Sequence, residues 1–460
     1  MRLPAPDRGS TTGGTGGGRS LNKRAAVIGG GLAGCEAAWQ IVRRAPGVTV
    51  DLFEMRPTRM TPAHQTAHLA ELVCSNSLKS EDPSTPAGEL KEEMAALGSL
   101  VIESARACRV PAGSALAVDR EQMGRMVTRM IETHPAINLV RREITAIPES
   151  YDQVIVATGP LTADALAESL RGVLTGGSLY FYDAIAPIVE ADSVDRSFAF
   201  TQDRRGAPGD GAYLNLPTDE AEYRRFIAEL LAARTTPLRA FEEPRYFEGC
   251  LPVEVIASRG EESLAFGPMK PVGLTDPRTG RRPYAVVQLR PETVDAAAYS
   301  MVAFQTRLAY PEQERVFRMI PGLRDAVFLR HGSLHRNTFI NGPRNLDGDL
   351  SVKGRPEVRF AGQITGVEGY AESAATGMLA GLFAAGAMTG RAVTPPPPET
   401  TLGALLAYVT DPARGDDFQP SNINYSLFPP LSPPVKKRDL RRAAVIARAV
   451  EKVDVWREGL

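Results

Sequence analysis

Residues Gly29-Gly30-Gly31-Leu32-Ala33-Gly34 constrain the fold of this chain more than any other segment. They match G-x-G-x-x-G, a pattern that carries weight only between a buried strand and a helix. Both flanks are present. Residues 24–28 read as a short buried strand and 34–44 as a helix with Ala37, Ala38, Ile41 and Val42 on its apolar faces. Pro46-Gly47 breaks that helix, and 48–53 read as a second strand. Glu54 follows, twenty residues after Gly34. In such a βαβ unit the first glycines permit a tight turn and bring backbone N–H groups close to a pyrophosphate. The helix N-terminus favours the negative charge, Gly34 lets helix and strand pack closely, and Glu54 can accept hydrogen bonds from an adenosine ribose. Gly29, Gly30, Gly31, Leu32, Ala33, Gly34 and Glu54 are therefore candidate cofactor-binding residues.

A second unit of this kind stands late in the chain. Residues 153–160 read as a strand running into a small-residue turn that contains Gly159. Residues 357–361 read as a strand, Gly362-Gln363-Ile364-Thr365-Gly366 as a turn, and 370–385 as a helix of small residues. A late helix N-terminus aimed at an extended cofactor suits a flavin better than a nicotinamide. Gly159, Gly362, Gln363, Ile364 and Gly366 join the candidates. The expected fold is α/β: a Rossmann-like FAD-binding domain, discontinuous, with an inserted α+β domain. Residues 1–20, rich in Gly, Ser and Thr, are expected to be a disordered tail. Residues 21–164 and 326–394 would form the two parts of the cofactor domain, and 165–325, richer in aromatics and turn signals, the insertion. Residues 395–460 would form a Pro linker and a helical basic segment with Lys436, Lys437, Arg438, Arg441, Arg442 and Arg448. Residues 89–97 and 120–132 also read as helices. Gly13 to Ser20 imitates a P-loop without the strand and helix that motif needs.

Composition narrows the function classes. A 460-residue chain with 43% hydrophobic and 23% charged residues is an ordinary globular protein. No apolar run reaches the roughly 20 residues that span a bilayer, and the N-terminus lacks a signal-peptide pattern, so a cytoplasmic protein with no membrane association is expected. Four cysteines, Cys35, Cys74, Cys108 and Cys250, form no C-x-x-C pair and read as thiols. The pairs His64/His68 and His331/His335 have i, i+4 spacing, but Gln65 and Gly332 stand where a zinc hydrolase has glutamate, so no metal is expected. A pocket role for His331 or His335 is the better reading. A formal net charge of −1 gives no global attraction for nucleic acid, so any such partner needs a local basic face. Basic loops at Lys270, Arg281-Arg282 and Arg290 are candidates for carboxylate or phosphate recognition. Cys74, in Leu72-Val73-Cys74-Ser75-Asn76-Ser77, and Cys250, in Phe247-Glu248-Gly249-Cys250-Leu251-Pro252, lie in loop-like surroundings where reactive groups concentrate. Taken alone, each reads more readily as a packed thiol, because free cysteine is usually a small buried hydrophobe.

Several separated segments resemble one family, the folate- and FAD-dependent tRNA uracil-5-methyltransferases. They are the fingerprint continued by Cys35-Glu36-Ala37-Ala38, Phe53-Glu54-Met55-Arg56-Pro57, the two cysteine segments, Phe266-Gly267-Pro268-Met269-Lys270-Pro271-Val272-Gly273-Leu274 and Gly362-Gln363-Ile364-Thr365-Gly366-Val367-Glu368-Gly369-Tyr370. The resemblance runs from about Ala25 to about Leu431. It implies methylation of a uridine C5 in the tRNA T-loop, with 5,10-methylenetetrahydrofolate as carbon donor and NADH or NADPH as reductant acting through FAD. It implies two functional cysteines, at Cys74 and Cys250. Cys250 is read as the nucleophile on uracil C6 and Cys74 as the second thiol, with their order left open. Lys270, Arg281, Arg282, Arg290 and His335 are carried as substrate-binding candidates, with the tRNA T-arm as partner and no obligate protein partner evident. Rival readings are the same chemistry on a ribosomal RNA uridine, a related wobble-uridine modifier with a longer C-terminal helical domain, and a flavoprotein RNA chaperone.

Overall fold

The computed structural model describes residues 23–460 apart from 62, 176–177, 185, 205, 207–210, 237–250, 294 and 417, and only the backbone of 178–184 and 334–337. The expected tail 1–20, the P-loop imitation and Cys250 lie outside the described residues.

The first strand, Arg24–Ile28, is buried over its last four residues because it runs through the centre of a sheet covered on both faces. Its neighbours are Thr49–Glu54 on one side and Gln153–Val156 on the other, both parallel to it. Ile137–Arg141 extends the sheet beyond Thr49–Glu54, and Arg355–Phe360 extends it beyond Gln153–Val156, again in parallel. The short strand Ser351–Val352 adds an antiparallel edge. Late chain thus completes a sheet begun at residue 24.

Two helices seal one another over this sheet. Leu32–Arg44 packs against Tyr370–Thr389, which is buried on almost every side. Small residues make the approach possible: a Cβ added at Gly377 would lie 2.2 Å from the Ala33 carbonyl oxygen, and one at Gly381 would lie 2.6 Å from that of Ala37.

A second sheet is wholly antiparallel. Its order is Phe200–Thr201, Leu214–Thr218, Ala285–Pro291, Ala298–Met301, Ile188–Glu190 and Phe328–Arg330. It therefore extends a few residues past the boundary expected at 325. Helix Glu220–Ala232 covers it, capped by the reciprocal Asp219/Glu222 pair, and the two enclose a separate core around Tyr223, Phe226, Phe304 and Phe317. The antiparallel strands Ser178–Ala184 and Leu334–Ile340 carry the chain out to this unit and back.

The C-terminal region is not a solvated helical tail. Among the described residues after Pro398, only Thr401–Thr410 and Arg438–Glu458 are α-helical. Val445, Ala449, Val453 and Trp456 of the last helix enter the first core, and the Trp456 indole donates to the Thr394 carbonyl at 2.8 Å. The reason is an apolar stripe at helical spacing beneath the basic residues that dominate the composition. No helix among the described residues is long and apolar enough to cross a membrane.

Candidate active site

The parallel strands end at a cleft lined by Gly29, Gly30, Gly31, Leu32, Ala33, Glu54, Gly159, Gly362 and Gln363 among others. Helix Leu32–Arg44 begins at Gly31 with no side-chain cap, and Tyr370–Thr389 begins at Gly369 with none. Their first amides therefore offer donors to an anion. Gly31 leaves open space at the start of the first of these helices, since a Cβ there would meet nothing within 4 Å.

Glu54 is buried and accepts from the Gly30 amide at 3.0 Å, from the Arg56 amide at 2.9 Å and from the Arg56 side chain at 3.0 Å. Burial works against its charge, but Arg56 and these amides hold it below the usual carboxylate range. Arg56, itself buried, reaches on to Glu71 at 2.9 Å and so fixes the loop that roofs this end of the cleft.

A second cavity opens beside the first and shares Val73, Pro160, Leu161, Gln363 and Tyr370 with it. Cys74 lines this second cavity together with Ser75, Lys79, Arg290 and Gly369. The Cys74 loop is held from three directions. The Tyr370 hydroxyl oxygen accepts from the amides of Cys74 at 2.8 Å and Ser75 at 3.1 Å. Arg120 donates to the carbonyls of Leu72 at 3.0 Å and Cys74 at 3.3 Å, and forks onto Glu292 at 2.6 and 3.1 Å. Asn76 donates to the carbonyls of Val118 and Pro291 and accepts from Arg290 Nε at 2.8 Å. Strand Ala285–Pro291 and its continuation thus pin the loop to the second sheet. Burial, then proximity to Cys74, push the Tyr370 phenol up, so it remains protonated at neutral pH. Burial lowers the Arg120 guanidinium, but Glu292 reverses that and keeps it charged.

Of the other sequence candidates, Arg290 lies within the Cys74 cavity, and the others described in full lie outside both cavities. Arg290 is not in a basic loop; it is buried in a strand, because a strand end that meets the Cys74 loop needs a donor for Asn76. Ile364 is buried in the core, and Gly366 faces Phe418, whose ring would lie 2.3 Å from an added Cβ, so neither lines the cleft. Gly34 also stays off its surface: an added Cβ would meet the Gly29 carbonyl oxygen at 1.8 Å, the close helix–strand contact. Lys270, Arg281 and Arg282 are exposed on the second unit. His335 lies on the strand Leu334–Ile340. His331 is away from both cavities, bound to Glu314 at 3.0 Å between the rings of Tyr310 and Phe328. Cys35 and Cys108 are packed thiols whose burial pushes them up. Among the described residues no cluster of metal-ligating side chains occurs. In the C-terminal segment Arg448 is bound to the Pro429 and Pro430 carbonyls and Arg442 covers the Tyr425 ring, so both are committed inside the molecule. Tyr370, Asn76, Arg120 and Glu292 escaped sequence reasoning, although Gly369-Tyr370 at a helix start and the Ser75-Asn76-Ser77 polar run mark two of them.

Known proteins match this chain along nearly its whole length. The family described as "Glucose inhibited division protein A" matches residues 24–392. A methylenetetrahydrofolate–tRNA-(uracil-5-)-methyltransferase TrmFO of Geobacter sulfurreducens is 56% identical over 431 residues, covering 94% of this chain and 98% of its own length. The chain belongs to the TrmFO family. A TrmFO of Heliobacterium modesticaldum is 55% identical over 428 residues, 93% of this chain and 96% of its own. Among solved structures, GidA of Aquifex aeolicus superposes with a TM-score of 0.66 at 16% identity, covering 95% of this chain and 74% of that one, a likeness of fold. The TrmFO relatives are named as tRNA (uracil-5-)-methyltransferases that use methylenetetrahydrofolate. The cleft fits FAD on its own geometry: two uncapped helix N-termini, an open Gly31 and a buried carboxylate at Glu54 line one space.

Proposed function

We propose that this protein methylates C5 of a T-loop uridine in tRNA, taking the carbon from 5,10-methylenetetrahydrofolate and its electrons from NADH or NADPH. The observation that carries the reading is the continuity between the glycine-lined cleft and the cavity that holds Cys74. FAD, held by 29–33, Glu54, Gly159, Gly362 and Gln363, would supply the hydride that completes the methyl group.

Uracil C5 is a poor nucleophile. Addition of a thiolate to C6, assigned to Cys250, turns the ring into an enolate whose C5 attacks the methylene carbon of the folate. Loss of the C5 proton expels tetrahydrofolate by breaking its N–CH2 bond and leaves an exocyclic methylene. A hydride added to that carbon completes the methyl group and restores the enolate, which expels the thiolate from C6 and re-forms the 5,6 double bond. Cys74 serves as the second thiol, in acid–base work or adduct stabilisation. Tyr370 and Arg120 fix its loop, and the protonated Tyr370 phenol places an O–H donor at the junction of the two cavities. A base stacked inside folded RNA cannot reach this depth, so the uridine is flipped out. Lys270, Arg281 and Arg282 on one segment and the exposed Lys436, Lys437, Arg438 and Arg441 on another supply the local basic patches that the near-zero net charge requires.

The test is formation of 5-methyluridine in unmodified tRNA incubated with the purified protein, methylenetetrahydrofolate and NAD(P)H, read by nucleoside mass analysis. A ribosomal RNA transcript tests the alternative target. Cys250→Ala and Cys74→Ala should each abolish methylation while tRNA binding persists. Methylation that survives without folate, or in Cys250→Ala, refutes the corresponding step.

A further inference from the structure

Phe266 is 80% exposed, at the end of the short helix Ser263–Phe266. Its display is enforced by its surroundings. Leu264 and Met269, on either side of it in sequence, are fully buried in the second core. The turn is closed by the Phe266 amide on the Glu262 carbonyl at 3.0 Å and the Met269 amide on that of Leu264 at 2.8 Å. The Tyr223 hydroxyl accepts from the Ala265 amide at 3.2 Å, and the Val286 amide binds the Met269 carbonyl at 2.9 Å, which joins the turn to the second sheet. An added Cβ at Gly267 would lie 2.8 Å from the Ser263 carbonyl oxygen, so the residue after the phenyl ring carries no side chain to cover it. The result is a bare aromatic on a rigid pedestal.

Exposed cations stand on the same unit. Lys270, four residues on, is exposed, and the Arg204 guanidinium donates to the carbonyls of Lys270 and Val272, which stiffens this loop. Arg281 and Arg282 are exposed on the segment that leads into strand Ala285–Pro291. Lys270, Arg281 and Arg282 form no ion pair among the described residues, whereas Glu220, Glu261 and Glu262 are gathered on Arg224 at 2.9, 2.6 and 3.6 Å. Three exposed cations of this unit are thus available to phosphates. An exposed aromatic beside unpaired cations is the arrangement that binds unstacked nucleotides, the ring taking a base and the cations its phosphates.

We propose that Phe266 is a stacking platform for an unpaired base of the RNA substrate, with Lys270, Arg281 and Arg282 on the flanking phosphates. The inference rests on the tRNA reading given above and adds a second anchoring point to it. The turn that carries Phe266 is bonded to the strand at Val286, and four residues of extended strand, about 14 Å, separate Val286 from Arg290 in the Cys74 cavity. The platform therefore takes a different nucleotide from the one that reacts.

The test compares Phe266→Ala, Phe266→Leu and Phe266→Trp holoenzymes for binding and methylation of an unmodified tRNA transcript at several salt concentrations. Phe266→Ala and Phe266→Leu should raise Kd and KM for the transcript by about 5- to 150-fold, with kcat, flavin content and melting temperature unchanged, and Phe266→Trp should retain affinity. The salt slope should stay at the wild-type value in all three and fall in Lys270→Glu. Full affinity in Phe266→Leu, or an unchanged KM in Phe266→Ala, refutes the platform while the functional reading stands. A wild-type enzyme that neither binds nor methylates the transcript refutes that reading, and the platform with it.

Discussion

The ion pair between Arg120 and Glu292 joins the Cys74 loop to the second sheet, and removing one half of it tests how that loop is positioned. The Glu292 side chain is 5% exposed and that of Arg120 15%, with two bonds of 2.6 and 3.1 Å between them. Glu292→Ala leaves a guanidinium buried without its counter-charge. Loss of one partner from such a pair costs about 3–5 kcal/mol, and the carbonyls of Leu72 and Cys74 that still accept from Arg120 place this case near about 3 kcal/mol. Replacing both partners, Arg120→Met with Glu292→Leu, should recover most of that loss, because an apolar pair of similar volume needs no charge compensation. The assay is urea unfolding of the single and double variants at pH 7, with methylation kinetics on the same preparations. The Cys74 loop loses its guanidinium anchor in the double variant, so kcat should stay at least about tenfold depressed there even as stability returns. A loss below about 1 kcal/mol for Glu292→Ala, the range of a solvent-exposed pair, together with an unchanged kcat, would refute this account.

Three further outcomes follow from the geometry. Gly31 has φ −78° and open space before it, so Gly31→Leu should fold with an unchanged melting temperature yet purify without flavin absorbance; a yellow variant contradicts the placement of the cofactor. Gly377→Val drives a side chain into the Ala33 carbonyl and should cost about 3 kcal/mol or more in thermal unfolding, with a cost under about 1 kcal/mol arguing against close helix packing. Burial pushes Glu93 up to about 7 and Glu89 up to about 8, the latter reinforced by Glu93. The folded chain thus keeps protons that the unfolded chain releases above about 4.5. This contribution is full below that pH and declines as pH rises through 7 to 8. Glu89→Gln should flatten the decline in melting temperature between pH 5 and 8, and a decline as steep as the wild type's would overturn the assignment.

The central sheet was legible because its elements repeat a local grammar. Apolar runs at 24–28 and 153–156, and the glycines that follow them, mark strands whatever their partners. The helix Arg120–Glu132 was legible for the same reason, with Asp119 as its cap. Cys74 stood out by its polar neighbours. The network that holds it did not, because Arg120, Glu292 and Tyr370 are far apart in sequence and meet only where two sheets converge. Arg290 misled for a related reason: a cation between turn signals resembles surface charge until Asn76 is seen to face it. The C-terminal helix misled because its basic face dominates the composition, while the four residues that dock it are spaced along a single stripe.

The small-residue contact between Leu32–Arg44 and Tyr370–Thr389 also sets a clock on biosynthesis. The fingerprint helix leaves the ribosome early, yet the surface it must cover arrives only with residues 370–389. At roughly 5–20 residues per second, the intervening chain takes on the order of 17–70 s to synthesise. The core around Tyr223 and Phe317 draws its buried residues from 189–326 and can close within that interval. The nascent protein therefore carries a finished second unit beside an unsealed cofactor unit, whose apolar helix face is exposed to chaperones for most of translation.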